Sequence, residues 1–88
     1  GLYDAFLIKE NHIAACGSIT KAVVMARSRP GNLLVEVEVE TLEELSEALA
    51  AKPDRILLDN FDPQMLVDAV ALRGLQQCEL EASGGVNI

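Results

Sequence analysis

Carboxylates mark the ends of several short apolar segments in this chain. Glu36, Glu38 and Glu40 alternate with Val35, Val37 and Val39, and Asp59 closes the run Arg55-Ile-Leu-Leu-Asp59. Glu79 and Glu81 flank Leu80 just before Ser83, Gly84 and Gly85, while Lys9 ends the run Asp4-Ala-Phe-Leu-Ile-Lys9. Several carboxylates and a lysine at segment ends suit a divalent cation and a charged substrate, because hard cations take oxygen ligands. The two glycines let the main chain approach a ligand closely and turn backbone N–H groups toward a phosphate. Each feature also has a plainer use. Gly-Gly makes an ordinary tight turn, Lys9 a strand-end lysine reaching for water, Asp59 a cap on the turn at Asn60, and His12 a hydrogen-bonded loop residue.

The elements that must position these residues follow from periodicity. Residues 4–9 and 55–59 are short apolar runs of strand length, and 33–40 alternates strictly with β-branched residues on one side. Ser18 is an N-cap for a helix whose Ile19, Ala22, Val23 and Ala26 share one face, stopped by Pro30-Gly31. Arg27 and Arg29 near its end complement the helix dipole. Thr41 and Glu44 have capping-box spacing ahead of Leu42, Leu45 and Leu49, and Pro53 ends that helix. Asp62-Pro63 opens a third helix with Leu66, Ala69, Val70 and the stem of Arg73 inward. Residues 79–82 form a fourth strand running into Ser83-Gly84-Gly85.

The order is β-α-β-α-β-α-β, which implies parallel neighbouring strands joined by helical crossovers. A closed (β/α) barrel needs ~200–250 residues, so 88 residues amount to about half of one. The chain reads as a partial α/β-barrel domain within a longer protein. If the sheet curls as a barrel, the valines face the helices and Lys9, Glu38, Asp59 and Glu81 point toward the lumen. Acidic residues there need compensation, since parallel strands are normally apolar on both faces. An open sheet with solvated glutamates is the alternative.

Composition limits the partners. Seven basic residues against fourteen acidic give a net charge of −7, which argues against DNA or RNA phosphates as partners. It leaves room for a small phosphorylated ligand held by one lysine, backbone amides and a metal. No apolar run approaches the ~20 residues of a membrane helix, and no signal peptide is visible at Gly1. Cys16 and Cys78 lack metal-ligand spacing and read as reduced thiols of a cytoplasmic protein.

Taken in order, Asp4-Ala-Phe-Leu-Ile-Lys-Glu-Asn-His12, Gly17-Ser18, Glu36-Val-Glu-Val-Glu40, Leu58-Asp-Asn-Phe61 and Glu81-Ala-Ser-Gly-Gly85 resemble the nicotinate-nucleotide pyrophosphorylase family. That family is also called quinolinate phosphoribosyltransferase. The resemblance covers essentially the whole chain and matches the middle of the family's barrel domain. It implies a decarboxylating step of NAD biosynthesis. Quinolinate and phosphoribosyl pyrophosphate give nicotinate mononucleotide, carbon dioxide and pyrophosphate, with Mg2+ as cofactor. It also implies a cytoplasmic homo-oligomer, a dimer or higher. By the same resemblance Lys9 contacts the anionic substrates, Glu38 and Asp59 face the ribose and its magnesium, and Ser83, Gly84 and Gly85 lie at a phosphate. No general base is expected, because proton transfer is not the hard step.

The family's arginine-rich segments and N-terminal sandwich domain have no counterpart among these 88 residues, nor do the rest of the barrel and its second phosphate loop. Arg27, Arg29, Arg55 and Arg73 are expected to lie away from the site. The fragment alone is expected to be inactive. Two other readings remain: a same-fold pyrophosphorylase-like paralogue associated with molybdenum transport, and a non-catalytic half-barrel serving as a folding or assembly module.

Overall fold

The computed structural model describes residues 5–31 and 33–88. Its elements in chain order are β1 (Ala5–Ile8), α1 (Glu10–Cys16), α2 (Ile19–Arg27), β2 (Leu34–Val39), α3 (Leu42–Ala51), β3 (Arg55–Leu58), α4 (Pro63–Arg73), β4 (Glu79–Ala82) and β5 (Val86–Asn87). Strands β1 to β4 lie side by side in sequence order, all parallel, with Ile8 opposite Val37, Val39 opposite Leu58 and Leu58 opposite Ala82. This is the expected α/β architecture, an arc of barrel wall.

Strand alternation decides which face is covered. Ile8, Val35, Val37, Val39, Ile56, Leu58 and Leu80 are buried together with Ile19, Ala22, Val23 and Ala26 of α2, Leu45, Ala48 and Leu49 of α3, and Ala69 of α4. Each large aliphatic side chain buried this way contributes ~1.5–3 kcal/mol relative to leaving it in water. The opposite parity, with Leu7, Glu36, Glu38, Leu57 and Glu81, is only half-buried. The helices therefore occupy one face and the acidic residues the other.

The caps form where expected. Ser18 Oγ accepts from Lys21 N–H at 3.1 Å, Asp62 Oδ1 from Met65 N–H at 2.8 Å, and Thr41 and Glu44 cap reciprocally. Glu47 of α3 adds a tie between helices by accepting from Ile19 N–H at 3.0 Å. Asp54 fastens the strand starts. Its carboxylate accepts from Val35 N–H at 2.7 Å and from Arg27 at 2.8 Å, and its own N–H donates to Val35 O at 2.8 Å.

Three details differ from the sequence reading. Residues 10–16, read as a loop around His12, form α1, which Gly17 ends in the left-handed region at φ 101° by donating to Ile13 O at 2.8 Å. Residues 86–87 turn back as β5 and pair antiparallel with β4, so the last parallel strand is not a bare edge over Glu81 and Ala82. Val70 is 41% exposed, because α4 turns Leu66, Ala69 and Arg73 inward instead. The Arg73 guanidinium then reaches Ile88 O at 2.6 Å. Asp4, the expected start of the first strand, lies outside the described residues.

Candidate active site

Parallel pairing brings the C-termini of β1 to β4 to one end of the sheet, and the pleat decides what they present there. Glu38 sits opposite Leu57, and Leu57 opposite Glu81, in one lateral row on the face away from the helices. Asp59 follows two residues beyond Leu57. A cleft of about 190 Å³ opens over this row, lined by Glu38, Leu57, Asp59, Glu81, Ser83, Gly84 and Gly85 among others. A larger hollow of about 450 Å³ lies between Lys52, Pro53, Asp54 and residues 75–78, at the N-terminal ends of the strands. Its Asp54 is already committed to Arg27 and Val35. Ligands of parallel α/β folds bind at strand C-terminal ends, so the smaller cleft is the functional candidate.

The cleft is electrostatically unbalanced. The carboxylates of Glu38 and Asp59 have no hydrogen bond or ion pair among the described residues. Glu40, at the same strand ends, has its pKa raised above the usual carboxylate range, chiefly by the charge of Glu10, then by loss of solvent and by Asp59, Glu44 and Glu38. A cation arriving here would relieve that repulsion. Among the described residues, no three His, Cys, Asp or Glu side chains form a metal site by themselves. Glu38 and Asp59 could hold a hard cation only with oxygens from water and a ligand completing its shell. Magnesium is commonly held that way, by one or two carboxylates plus substrate phosphates.

The glycine turn is a three-residue hairpin loop between β4 and β5. Gly84 and Gly85 have φ 94° and 83°, conformations that L side chains rarely adopt. Gly85 N–H donates to Ala82 O at 3.1 Å. A Cβ on Gly84 would meet nothing within 4 Å, so the backbone conformation rather than crowding requires glycine there. Ser83 ties neighbouring loops together: its hydroxyl donates to Leu58 O at 3.2 Å and accepts from Asn60 N–H at 3.4 Å. With Asn60 N–H satisfied by Ser83, Asp59 is not the cap of that turn.

Lys9 stands at the end of β1 in extended backbone, φ −110° and ψ 175°, which continues the alternation onto the Leu7 face. Its side chain is exposed and does not line the cleft. His12 is occupied locally, its Nδ1 accepting from Lys9 N–H at 3.4 Å and its ring tilted against Phe6 at 5.7 Å. Both thiols are free. Burial pushes the Cys78 thiol up to about 11, with Arg73 opposing, so it is protonated and unreactive at neutral pH.

Arg55 was expected to lie away from the site; it does not line the cleft, but it contacts Glu81, which does. Arg55 starts β3 on the same face as the cleft. Its Nη1 is 3.0 Å from Glu36 Oε1 and 3.7 Å from Glu81 Oε2, and its Nε is 3.0 Å from Glu79 Oε2. Here is the compensation that acidic strand positions require. Sequence spacing alone did not reveal it, because the ion pairs cross three strands in a register that only pairing defines. Arg27 pairs with Asp54 and Arg29 stacks over Phe6 at 4.5 Å, both remote from the cleft as expected.

Residues 1–88 match the family model described as quinolinate phosphoribosyl transferase, C-terminal domain. A Bacillus subtilis protein named probable nicotinate-nucleotide pyrophosphorylase (carboxylating) is 46% identical over 100% of this chain and 30% of its own length. The solved nicotinate-nucleotide pyrophosphorylase of Francisella tularensis superposes with a TM-score of 0.85 at 48% identity, covering 98% of this chain and 30% of that one. NadC of Streptococcus pyogenes gives a TM-score of 0.85 at 42% identity, with the same coverage. The chain thus spans about 30% of the length of the relatives it matches. With its strand order, glycine turn and acidic row, it belongs to the quinolinate phosphoribosyl transferase family, within the C-terminal domain.

Proposed function

We propose that this chain is the part of a quinolinate phosphoribosyltransferase barrel that receives the phosphoribose. In this reading it is completed in a longer enzyme by an N-terminal sandwich domain and the rest of the barrel. The observation that carries the proposal is the carboxylates of Glu38 and Asp59, unpaired among the described residues, lining one cleft with the Gly84-Gly85 turn at the strand C-terminal ends. The reading extends to a cytoplasmic homodimer acting in NAD biosynthesis. Two free thiols fit a reducing compartment, and no helix among the described residues is long and apolar enough to cross a membrane.

The reaction joins the pyridine nitrogen of quinolinate to the anomeric carbon of phosphoribosyl pyrophosphate as the carbon–oxygen bond to pyrophosphate breaks. The adjacent ring carboxylate then leaves as carbon dioxide. Its bonding electrons stay on the ring carbon, which takes up a proton, and the product is nicotinate mononucleotide. Glu38 and Asp59 stabilise positive charge developing on the ribose, the kind of preorganised electrostatic help that dominates many active sites. The backbone at Gly84, with no described atom within 4 Å of where a Cβ would sit, offers an approach for a phosphate. Magnesium, held by Glu38 and Asp59, would neutralise the leaving pyrophosphate.

The experiment is a product assay on the full-length enzyme containing this segment, with quinolinate, phosphoribosyl pyrophosphate and magnesium. Equal amounts of nicotinate mononucleotide and pyrophosphate are expected. Quinolinate-independent release of pyrophosphate, or no product, would remove the reading.

Lys9 provides a further check. Lys9→Ala in that enzyme should raise KM for an anionic substrate by about tenfold, ~1.4 kcal/mol, with little change in melting temperature. An exposed side chain adds little to a core. Unchanged KM with unchanged stability would leave Lys9 as a lysine pointing into solvent.

A further inference from the structure

Three carboxylates face the cleft, yet they are not equivalent. Glu38 and Asp59 are unpaired among the described residues, whereas Glu81 is held from behind. Its Oε2 lies 3.7 Å from Arg55 Nη1, and the same nitrogen contacts Glu36 Oε1 at 3.0 Å. Its Oε1 faces the glycine turn, 3.9 Å from where a Cβ on Gly85 would sit. Arg55 is partly withdrawn from solvent, with a side-chain exposure of 23% against 13% for Glu36 and 26% for Glu81. An ion pair of this kind is less screened than a surface one. Arg55 sits one row below the cleft, at the level of Glu36 and Glu79, and does not line it.

We propose that Arg55 is a positioning residue that holds the Glu81 carboxylate back from the cleft, so that Glu38 and Asp59 alone meet the phosphoribosyl pyrophosphate. The inference rests on the phosphoribosyltransferase reading and deepens it. Without Arg55, Glu81 is an uncompensated half-buried anion next to the turn that receives a phosphate. Its charge then repels the polyanionic substrate, and its side chain is free to swing into the space between Leu57 and Gly85. Glu36 and Glu79 lose their partner as well, but they lie a row below and act on stability more than on binding.

The test is a rescue. In the full-length enzyme, Arg55→Met should raise KM for phosphoribosyl pyrophosphate about tenfold, corresponding to ~1.4 kcal/mol, while kcat changes less. Adding Glu81→Gln to Arg55→Met should restore most of that affinity, and Arg55→Lys should retain an intermediate value. Melting temperatures recorded alongside separate folding from binding. If Arg55→Met does not fold, the comparison is made between Arg55→Lys and the Arg55→Lys/Glu81→Gln double variant. A purely structural role for Arg55 predicts the opposite pattern: stability falls, and removing the Glu81 charge brings no recovery of KM. That result, or an unchanged KM in Arg55→Met, overturns the proposal. Loss of quinolinate-dependent product in the unsubstituted enzyme would overturn the functional reading instead, so the two failures are distinguishable.

Discussion

Glu38→Gln and Asp59→Asn, introduced separately into the full-length enzyme, should each remove ~2–4 kcal/mol of transition-state stabilisation. The substitutions keep shape and remove only charge. Neither carboxylate has a hydrogen bond or ion pair among the described residues, so folding loses little and the measured loss belongs to the reaction. The expected signature is a fall in kcat and kcat/KM at an unchanged melting temperature. Near-parental turnover in both variants would mean that the ribose and its cation sit elsewhere. Glu81→Gln should cost less than either, because Arg55 already balances that charge.

The second large effect concerns the 88 residues expressed by themselves. They should yield no nicotinate mononucleotide, and they should run as an assembled or poorly folded species in sedimentation. The described residues lining the cleft include no cationic side chain to pair with a substrate's two carboxylates, and orientation supplies much of the rate. Among the described residues β1 pairs only with β2, which leaves one side of Ala5–Ile8 as an edge that recruits other chains. On α2, α4 and the segment that follows, Val24, Met25, Val67, Leu72 and Leu75 are exposed apolar residues, and a core of this size is marginal alone. The hairpin to β5 tempers the expectation on the other side, since Glu81 and Ala82 already have partners. A stable monomer that turns over substrate would defeat both parts.

The parallel sheet was legible because strict alternation at residues 34–39 fixes the buried face of the second strand, while the short apolar segments 5–8 and 56–58 have strand length and lie between helical patterns. The three long helices announced themselves through Ser18, Thr41 and Asp62, whose side chains accept backbone N–H groups as their types suggest. The short helix α1 did not, since its N-cap is Lys9, which has no side-chain acceptor. Gly17 was a signal for it, a left-handed C-cap, yet Gly17-Ser18 was read only as the start of the next helix. The hairpin at Gly84-Gly85 was ambiguous for a physical reason. The same positive-φ glycines that open a backbone to a phosphate also reverse a chain, and here they do reverse it.

The site was legible as a set of strand positions, and register did the rest. Glu38 and Glu81 fall in one row through Leu57, as parity demanded. Arg55 stays outside the cleft lining, yet its contact with Glu81 was not legible from its place at a strand start. In a four-residue strand the distance is short, and a long guanidinium side chain spans it.

The most direct test of the account is calorimetric titration of phosphoribosyl pyrophosphate into the full-length enzyme, with magnesium and with a chelator present, for the parental protein and for Glu38→Gln/Asp59→Asn. Saturable binding that requires magnesium is expected in the parental protein. In the double variant, binding should be weakened at least about tenfold, ~1.4 kcal/mol or more, at an unchanged melting temperature. Binding of equal strength in both proteins, indifferent to the chelator, would contradict the account.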